Sequence, residues 1–377
     1  MPSDRDNAAT GPLALATQCF GPDLGGIETL MTGLADALAA SGREIEVFAD
    51  HIRWRNAGEL VRPYPIRRFG SIRPVRRWMK RRALAERAKS GFTGVFADSW
   101  KSVAAVPRDV GPIVALAHGT EYPEDPGSQK ARRIAAALAR VRAVVASSQF
   151  TADRVAPYLK GGPPKITVVN PPLSALADAS PTALAEIGAI ISGRRPIIAT
   201  LARLEPRKGV DAVIAALPSL RARYPDLVYL VAGAGADLAR LRALAAERGV
   251  TDAVVFLGPV TEPQRKAALL TLSDVYAMPS RRVGDSVEGF GIAYAEAAWY
   301  GRPSLAGADG GASEIVKDGV SGLVCDGRNW EAVSQALFRL LDDDQARARM
   351  GAAGSAFVRA RLSWAAALPR YLAALGL

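Results

Sequence analysis

Two carboxylates, Glu288 and Glu296, stand eight residues apart in Ser286-Val287-Glu288-Gly289-Phe290-Gly291-Ile292-Ala293-Tyr294-Ala295-Glu296. Glycines on either side of Phe290 let backbone N–H groups come close to a ligand. The helix expected from about residue 292 sets its N-terminus beside them, where anionic or polar oxygens are favoured. Upstream, Arg203 and Lys208 lie five residues apart around Pro206. Two cations in a turn after a strand can stabilise the charge that develops on a diphosphate leaving group. His118 is one of two histidines, with His51, and follows the apolar run Ile113–Ala117. Gly25 and Gly26 open a helix and expose backbone N–H groups to which a phosphate can bind. Each feature alone also has a plain reading: a capping Glu, solvated loop cations, a structural His, a tight turn.

The elements needed to position these groups are legible as two series of alternating strands and helices. In the first, strands are expected at 11–20, 44–49, 94–99, 113–117, 143–147 and 166–169. The first helix carries Ile27, Leu30, Met31, Leu34 and Leu38 on one face and stops at Gly42. A further helix is expected over 128–141, and Ser148 and Thr151 suit the start of the one after it. Residues 173–195, with their prolines, serines and glycines, are assigned to a linker between a first domain, 1–172, and a second, 196–355. Strands of the second are expected at 197–202, 227–232, 254–258 and 274–278, with a closing helix over 356–377. His118, Arg203 and Glu288 then all fall past the C-terminal ends of strands, the edge at which open α/β sheets bind ligands. Gly233-Ala234-Gly235 reads equally well as a weak nucleotide signal and as a tight strand-to-helix turn, and no G-x-G-x-x-G fingerprint is present.

The spacing Glu288-x7-Glu296 around Gly-Phe-Gly resembles the signature of family 4 retaining glycosyltransferases. So do Ala297-Ala298-Trp299-Tyr300-Gly301-Arg302-Pro303, Gly310-Gly311-Ala312-Ser313-Glu314-Ile315-Val316 and Gly319-Val320-Ser321-Gly322-Leu323-Val324. Gly25-Gly26-Ile27-Glu28, His118 and Asn170-Pro171 are similar to the family's first domain. The resemblance spans nearly the whole chain and is densest over 196–354. It implies a GT-B fold: two Rossmann-like βαβ domains facing across a cleft, the last helix crossing back to the first domain. It further implies a nucleotide-sugar donor, with Arg203, Lys208, Gly25 and Gly26 on its diphosphate, and Glu296 on the ribose. Glu288, His118 and the backbone at Phe290, Gly291 and Ile292 are implied at the sugar. Glu288, His118, Arg203 and Lys208 are the implied catalytic set, for a same-face substitution that needs neither metal nor cofactor. Met278-Pro279-Ser280 through Glu296 is similar to mannosyltransferases that use GDP-mannose on phosphatidylinositol mannosides or in exopolysaccharide assembly. A UDP-sugar donor, a nucleotide-sugar 2-epimerase of the same fold and a non-catalytic binding protein are the rivals. Trp299-Tyr300 is bulkier than is usual in the family.

Composition bounds the setting. The chain has 377 residues, about half of them hydrophobic, enough for two cores. Cys19 and Cys325 are too few and too far apart for a disulfide framework or a thiolate zinc site, which fits a reducing compartment. No apolar run reaches the ~18–20 residues needed to span a bilayer, and Met1–Asn7 lacks the features of a signal peptide. A cytoplasmic protein is expected. The net charge is +11, and residues 53–89 alone hold thirteen cations against Glu59 and Glu86, so the rest is neutral. Trp54, Tyr64, Phe69 and Trp78 are interspersed among them. Such a segment suits an anionic membrane surface, with Arg73, Arg76, Arg77, Trp78, Lys80, Arg81 and Arg82 as docking residues. The expected acceptor is a lipid or lipid-linked glycan at the inner membrane face. No nucleic-acid module is present, and nucleic acid is not an expected partner.

Overall fold

The computed structural model describes residues 11–377 apart from 24, 52–60, 109, 124, 126, 160–164 and 175. It divides into two compact units, one of residues up to Pro172 together with Trp364–Leu377, the other Leu173–Ser363.

In the first unit seven strands are all parallel: β1 Leu13–Ala16, β2 Ile45–Asp50, β3 Ile66–Phe69, β4 Gly94–Ala97, β5 Ile113–Ala117, β6 Ala143–Ala146 and β7 Lys165–Val168. Their order across the sheet is β3-β2-β1-β4-β5-β6-β7. A parallel sheet is covered on both faces, which is why β1, β2, β4, β5 and β6 are buried at every residue. One face packs Leu30, Met31, Leu34 and Leu38 of helix Gly26–Ala40 with Tyr371 and Leu375 of helix Trp364–Leu375. The opposite face packs Leu84 of helix Arg73–Ala88 with Ile134 and Leu138 of helix Gln129–Leu138.

The second unit repeats the plan with β8 Ile197–Leu201, β9 Val228–Ala232, β10 Val254–Gly258, β11 Val275–Met278, β12 Ser304–Gly307 and β13 Gly322–Cys325. The order is β10-β9-β8-β11-β12-β13, again parallel throughout. In both sheets the chain reverses its direction of travel once, between β1 and β4 and between β8 and β11. Those two points are where the ends of neighbouring strands leave a crevice for a ligand.

Strands β3, β12 and β13 are not among those expected from the sequence, and two further stretches depart from that reading. Residues 173–195 are not a bare linker. They contain helix Pro181–Ile191, capped by Ser180 and buried through Ala183, Ile187 and Ile191 against Ala268 and Leu269. The i, i+4, i+8 apolar spacing was masked by the flanking prolines and serines. The C-terminal stretch is not one helix either. Helix Asp344–Arg361 belongs to the second unit, the chain breaks at Leu362 and Ser363, and helix Trp364–Leu375 belongs to the first. Tyr371 holds it there, with its ring 6.1 Å from Phe96 and 6.0 Å from Trp364. Tyr371→Ala should cost the first unit about 3–5 kcal/mol, the usual range for emptying a buried aromatic site. In calorimetry the transition of the first unit should fall while that of the second stays. An unmoved first transition would mean that this helix is not part of its core.

Candidate active site

The second sheet supplies a compact charged site from the ends of β8 and β11, its two central neighbours. After β8 the chain runs to a single 3-10 turn, Pro206–Lys208. After β11 it runs through Pro279 and a small bridge between Val283 and Ser286 to Glu288. Val287 and Phe290 are both buried, so the loop is anchored in the core on either side of Glu288. The Glu288 carbonyl accepts from Gly311 N–H at 2.9 Å. Gly310 has φ 86°, and a Cβ there would collide with that carbonyl, so only glycine lets the next loop lie this close. Behind the site Tyr294 donates to the Met278 carbonyl and crosses Tyr276 edge to face at 5.7 Å, while Tyr276 Oη donates to the Leu201 carbonyl at 3.0 Å. These contacts tie the two strand ends together beneath the charges.

Glu288 Oε2 accepts from Lys208 Nζ at 2.5 Å and from Arg207 Nη1 at 2.9 Å, and all three side chains are nearly buried. Arg207 Nε also pairs with Glu205 Oε2 at 3.0 Å, and Arg203 with Glu205 Oε1 at 2.9 Å. Three cations thus share two carboxylates. Burial alone would raise the Glu288 carboxyl, but Lys208 and Arg207 outweigh it and hold the group below the usual carboxylate range. Burial lowers the Lys208 ammonium, against the pull of Glu288 and with the help of Arg207's like charge. Both shifts express one imbalance, a carboxylate oversupplied with cations and a lysine short of anions. Such a site can take an anionic oxygen without first giving up a full ion pair.

The structure brings two of the expected site residues, Glu288 and Lys208, into direct contact and leaves a third, Arg203, outside it. Its side chain is 72% exposed, at the rim of the cluster. The inner position belongs to Arg207, which the sequence reading passed over; its only signal was the Pro206 turn, which turns consecutive residues to one side. Glu296 lies in the second turn of helix Ile292–Trp299 and accepts from Lys266 Nζ at 2.5 Å. Lys266, on helix Pro263–Leu272, gave no sequence signal. Gly291 caps helix Ile292–Trp299, and the buried Phe290 ring leaves only that residue's backbone available to a ligand.

In the first unit Gly25 and Gly26 are exposed at the start of helix Gly26–Ala40, after β1. His118 follows β5; its Nε2 lies 2.8 Å from the Asp98 carbonyl, and its backbone N–H donates to Glu121 at 2.8 Å. His51 is exposed. Two expected docking residues are placed otherwise. Lys80 is 3% exposed, with Nζ on Asp50 at 2.5 Å and on the Thr17 carbonyl at 2.6 Å. Arg76 pairs with the other Asp50 oxygen at 2.9 Å. Lys80 and Arg76 are therefore internal supports, because Lys80 sits four residues before the buried Leu84 on the inner face of its helix. Arg73, Trp78, Arg81 and Arg82 are exposed and Arg77 is half-buried. Arg53, Trp54 and Arg55 lie outside the described residues. No helix among the described residues is long and apolar enough to cross a membrane. Among them no group of three or more His, Cys, Asp or Glu could hold a metal ion.

Residues 24–175 match the family described as Glycosyltransferase Family 4, and residues 189–357 match Glycosyl transferases group 1. A Mycobacterium tuberculosis GDP-mannose-dependent alpha-(1-6)-phosphatidylinositol monomannoside mannosyltransferase is 43% identical over 174 residues, 46% of this chain and 45% of that protein. A Salinispora tropica D-inositol 3-phosphate glycosyltransferase is 32% identical over 244 residues, 60% of this chain and 49% of that one. The chain thus spans about half the length of the curated relatives it matches. Among solved structures, Anabaena HepE in complex with UDP and glucose superimposes with TM-score 0.79 at 17% identity, over 97% of this chain and 99% of that one. The fold is GT-B, and with both halves matched in turn the chain belongs to the family 4 glycosyltransferases.

Proposed function

We propose that this protein is a retaining, metal-independent hexosyltransferase that moves mannose from GDP-mannose to a lipid or lipid-linked glycan acceptor at the cytoplasmic membrane face. The observation that carries the reading is the pair of buried cations, Arg207 and Lys208, sharing one Glu288 carboxylate within the matched group 1 region. A diphosphate answers their unmet positive charge. As the glycosidic bond breaks, negative charge grows on that leaving group, and preorganised cations stabilise it without rearranging. Glu296, held by Lys266, is set one helix turn and a half inward to accept from ribose hydroxyls. His118 is assigned to the sugar and the Gly25-Gly26 helix start to the diphosphate on the strength of the family resemblance. Mannose and GDP rest on the relatives named as GDP-mannose-dependent.

The acceptor has a second reading. The relative matched over the larger share of this chain is named for D-inositol 3-phosphate, so a free inositol phosphate competes with an inositol lipid as acceptor. The exposed face of helix Arg73–Ala88 favours the lipid. Trp78 is 59% exposed, Val75 and Met79 lie beside it along the helix, and Arg82 stands 5.7 Å from the Trp78 ring centre. Among the described residues Arg73, Arg77 and Arg81 have no ion-pair partner. A mixed cationic and aromatic helix face of this kind suits a headgroup layer.

Thermal titration with GDP, UDP and ADP tests the donor. A nucleotide at 100 times its Kd should add about 2.7 kcal/mol of stability. GDP should stabilise selectively, and Lys208→Ala should weaken it about tenfold to a hundredfold, the loss of one charged hydrogen bond. A response to UDP alone would remove mannose from the reading; no response to any of the three would remove the transferase.

The charge cluster also sets a pH dependence. Glu288 has a lowered pKa when folded, so it contributes stability that is present above the unfolded carboxylate value of about 4.3 and lost as pH falls through its folded value. Stability of the second unit measured against urea from pH 6 to pH 3 should show this loss, and Glu288→Gln should remove that component. An unchanged slope in Glu288→Gln would mean that another group carries it.

For the membrane, co-sedimentation with vesicles containing phosphatidylglycerol should exceed that with phosphatidylcholine alone. Arg73→Ala with Arg81→Ala should weaken it roughly 30-fold, at about 1 kcal/mol per cation. Equal binding to both vesicle types would exclude an electrostatic docking face.

A further inference from the structure

Arg281 and Asp211 take no part in the ion pairs around Glu288, yet they are tied to the same turn. Arg281 follows Pro279-Ser280 at the end of β11, and Asp211 sits in the first turn of helix Val210–Arg223, just after Lys208 and Gly209. Arg281 Nη1 donates to Asp211 Oδ1 at 2.8 Å and Nη2 to Oδ2 at 2.7 Å, a planar fork with both side chains largely buried. Its Nη1 also donates to the Gly327 carbonyl at 3.1 Å. Its backbone N–H donates to the carbonyl of Arg207 at 2.8 Å. Arg240, from helix Leu238–Glu247, adds a third donor to Asp211 at 3.0 Å. Burial would raise the Asp211 carboxyl, but Arg281 and Arg240 outweigh it and keep it below the usual carboxylate range.

The turn needs such a brace. Arg207 and Lys208 are adjacent like charges, nearly buried; Glu288 faces both from the loop after β11, and Glu205 adds a second partner for Arg207. Their repulsion tends to swing one of them out to solvent. Gly209 closes the turn with φ 73°, and a Cβ there would strike the Pro279 carbonyl, so the turn lies directly on the segment that leads to Arg281. The backbone bond from Arg281 fixes Arg207 from one side of the turn, and the fork fixes Asp211 from the other.

We infer that the Arg281–Asp211 fork is a positioning device that holds the Arg207–Lys208 turn against the Glu288 loop and so sets both cations for a diphosphate. The ligand part of this inference rests on the proposed donor reading; the positioning part does not. Lysine at 281 would keep the charge but not the fork or the Gly327 contact, since an ammonium is a point donor and guanidinium a planar one. Geometry rather than charge is therefore what the device supplies.

The test compares Arg281→Lys and Asp211→Asn with wild type, and with Arg221→Lys, which disturbs an ion pair to Asp252 on the outer surface. The first readout needs no ligand: acetylation of lysines by an N-hydroxysuccinimide ester, followed by peptide mass spectrometry. Labelled well below the melting transition of every variant, Lys208 should react at least fivefold faster in Arg281→Lys and Asp211→Asn, with the other lysines unchanged and Arg221→Lys like wild type. Unchanged Lys208 labelling would overturn the inference, as would a uniform rise at all lysines, which marks general loosening. The second readout is affinity for GDP against GMP, with UDP and UMP in parallel. The fork variants should lose at least tenfold for the diphosphate and under twofold for the monophosphate. Equal loss for both would overturn the assignment to the diphosphate. If wild type binds no nucleotide while Lys208 labelling still rises, the donor reading fails and the brace remains.

Discussion

The site in the second unit rests on one unequal contact, two buried cations on the Glu288 carboxylate, with Glu205 shared between Arg207 and the exposed Arg203. Removing Lys208 and Arg207 from water is costly, and Glu288, with the half-shared Glu205, offsets only part of that cost. The lowered values of both Glu288 and Lys208 follow from that shortfall. A fully neutralised cluster would be more comfortable for the fold and useless for binding an anion. The deficit persists because the backbone around it is held independently of the charges: Val287 and Phe290 in the core, the Glu288 carbonyl on Gly311, and the crossed tyrosines below.

Parallel topology is what makes the contact possible. Lys208 and Glu288 are 80 residues apart in sequence. They meet because β8 and β11 are neighbours in the sheet although β9 and β10 intervene in the chain. Every strand of a parallel sheet points the same way, so the loops after β8 and β11 emerge at one edge. At this point the crossover helices depart in opposite directions and leave the edge uncovered. The first sheet repeats the arrangement at β1 and β4, where Gln18 N–H and Thr17 Oγ1 both donate to Asp98, at 2.6 and 2.8 Å. The Asp98 carbonyl in turn fixes His118.

Features written locally were legible. Buried strands read as apolar runs, and the glycine and carboxylate spacing around Glu288 marked its loop. The relation between Glu288 and Lys208 came from resemblance, since no local pattern reports a contact across 80 residues. Arg207 was overlooked because a 3-10 turn, unlike a helix or strand, gives no periodicity from which to say which of two adjacent cations turns inward. Lys266 and the Arg281–Asp211 fork were invisible for a related reason: each pairs residues from separate elements, and each residue alone reads as solvated charge. The helix within 173–195 was missed because its three buried residues are flanked by the residues that usually mark loops.

The basic stretch shows how far a count of charges can mislead. Thirteen cations suggest a strong field, yet many are spent internally. Arg76 and Lys80 face Asp50, Arg67 and Arg87 face Glu46, Arg62 faces Asp36 and Arg82 faces Glu86. Within helix Arg73–Ala88, and among the described residues, Arg73, Arg77 and Arg81 are left without an ion-pair partner, and burial beside Arg73 and Arg133 already lowers Arg77. At about 1 kcal/mol per cation near an anionic surface, three cations give roughly 3 kcal/mol, which alone is a weak and salt-sensitive hold. The apolar face of Trp78, Val75 and Met79 must therefore carry a comparable share of any docking. Helix periodicity makes that division of labour possible, because it turns Lys80 and Leu84 to the core while Trp78 and Arg81 stay on the surface.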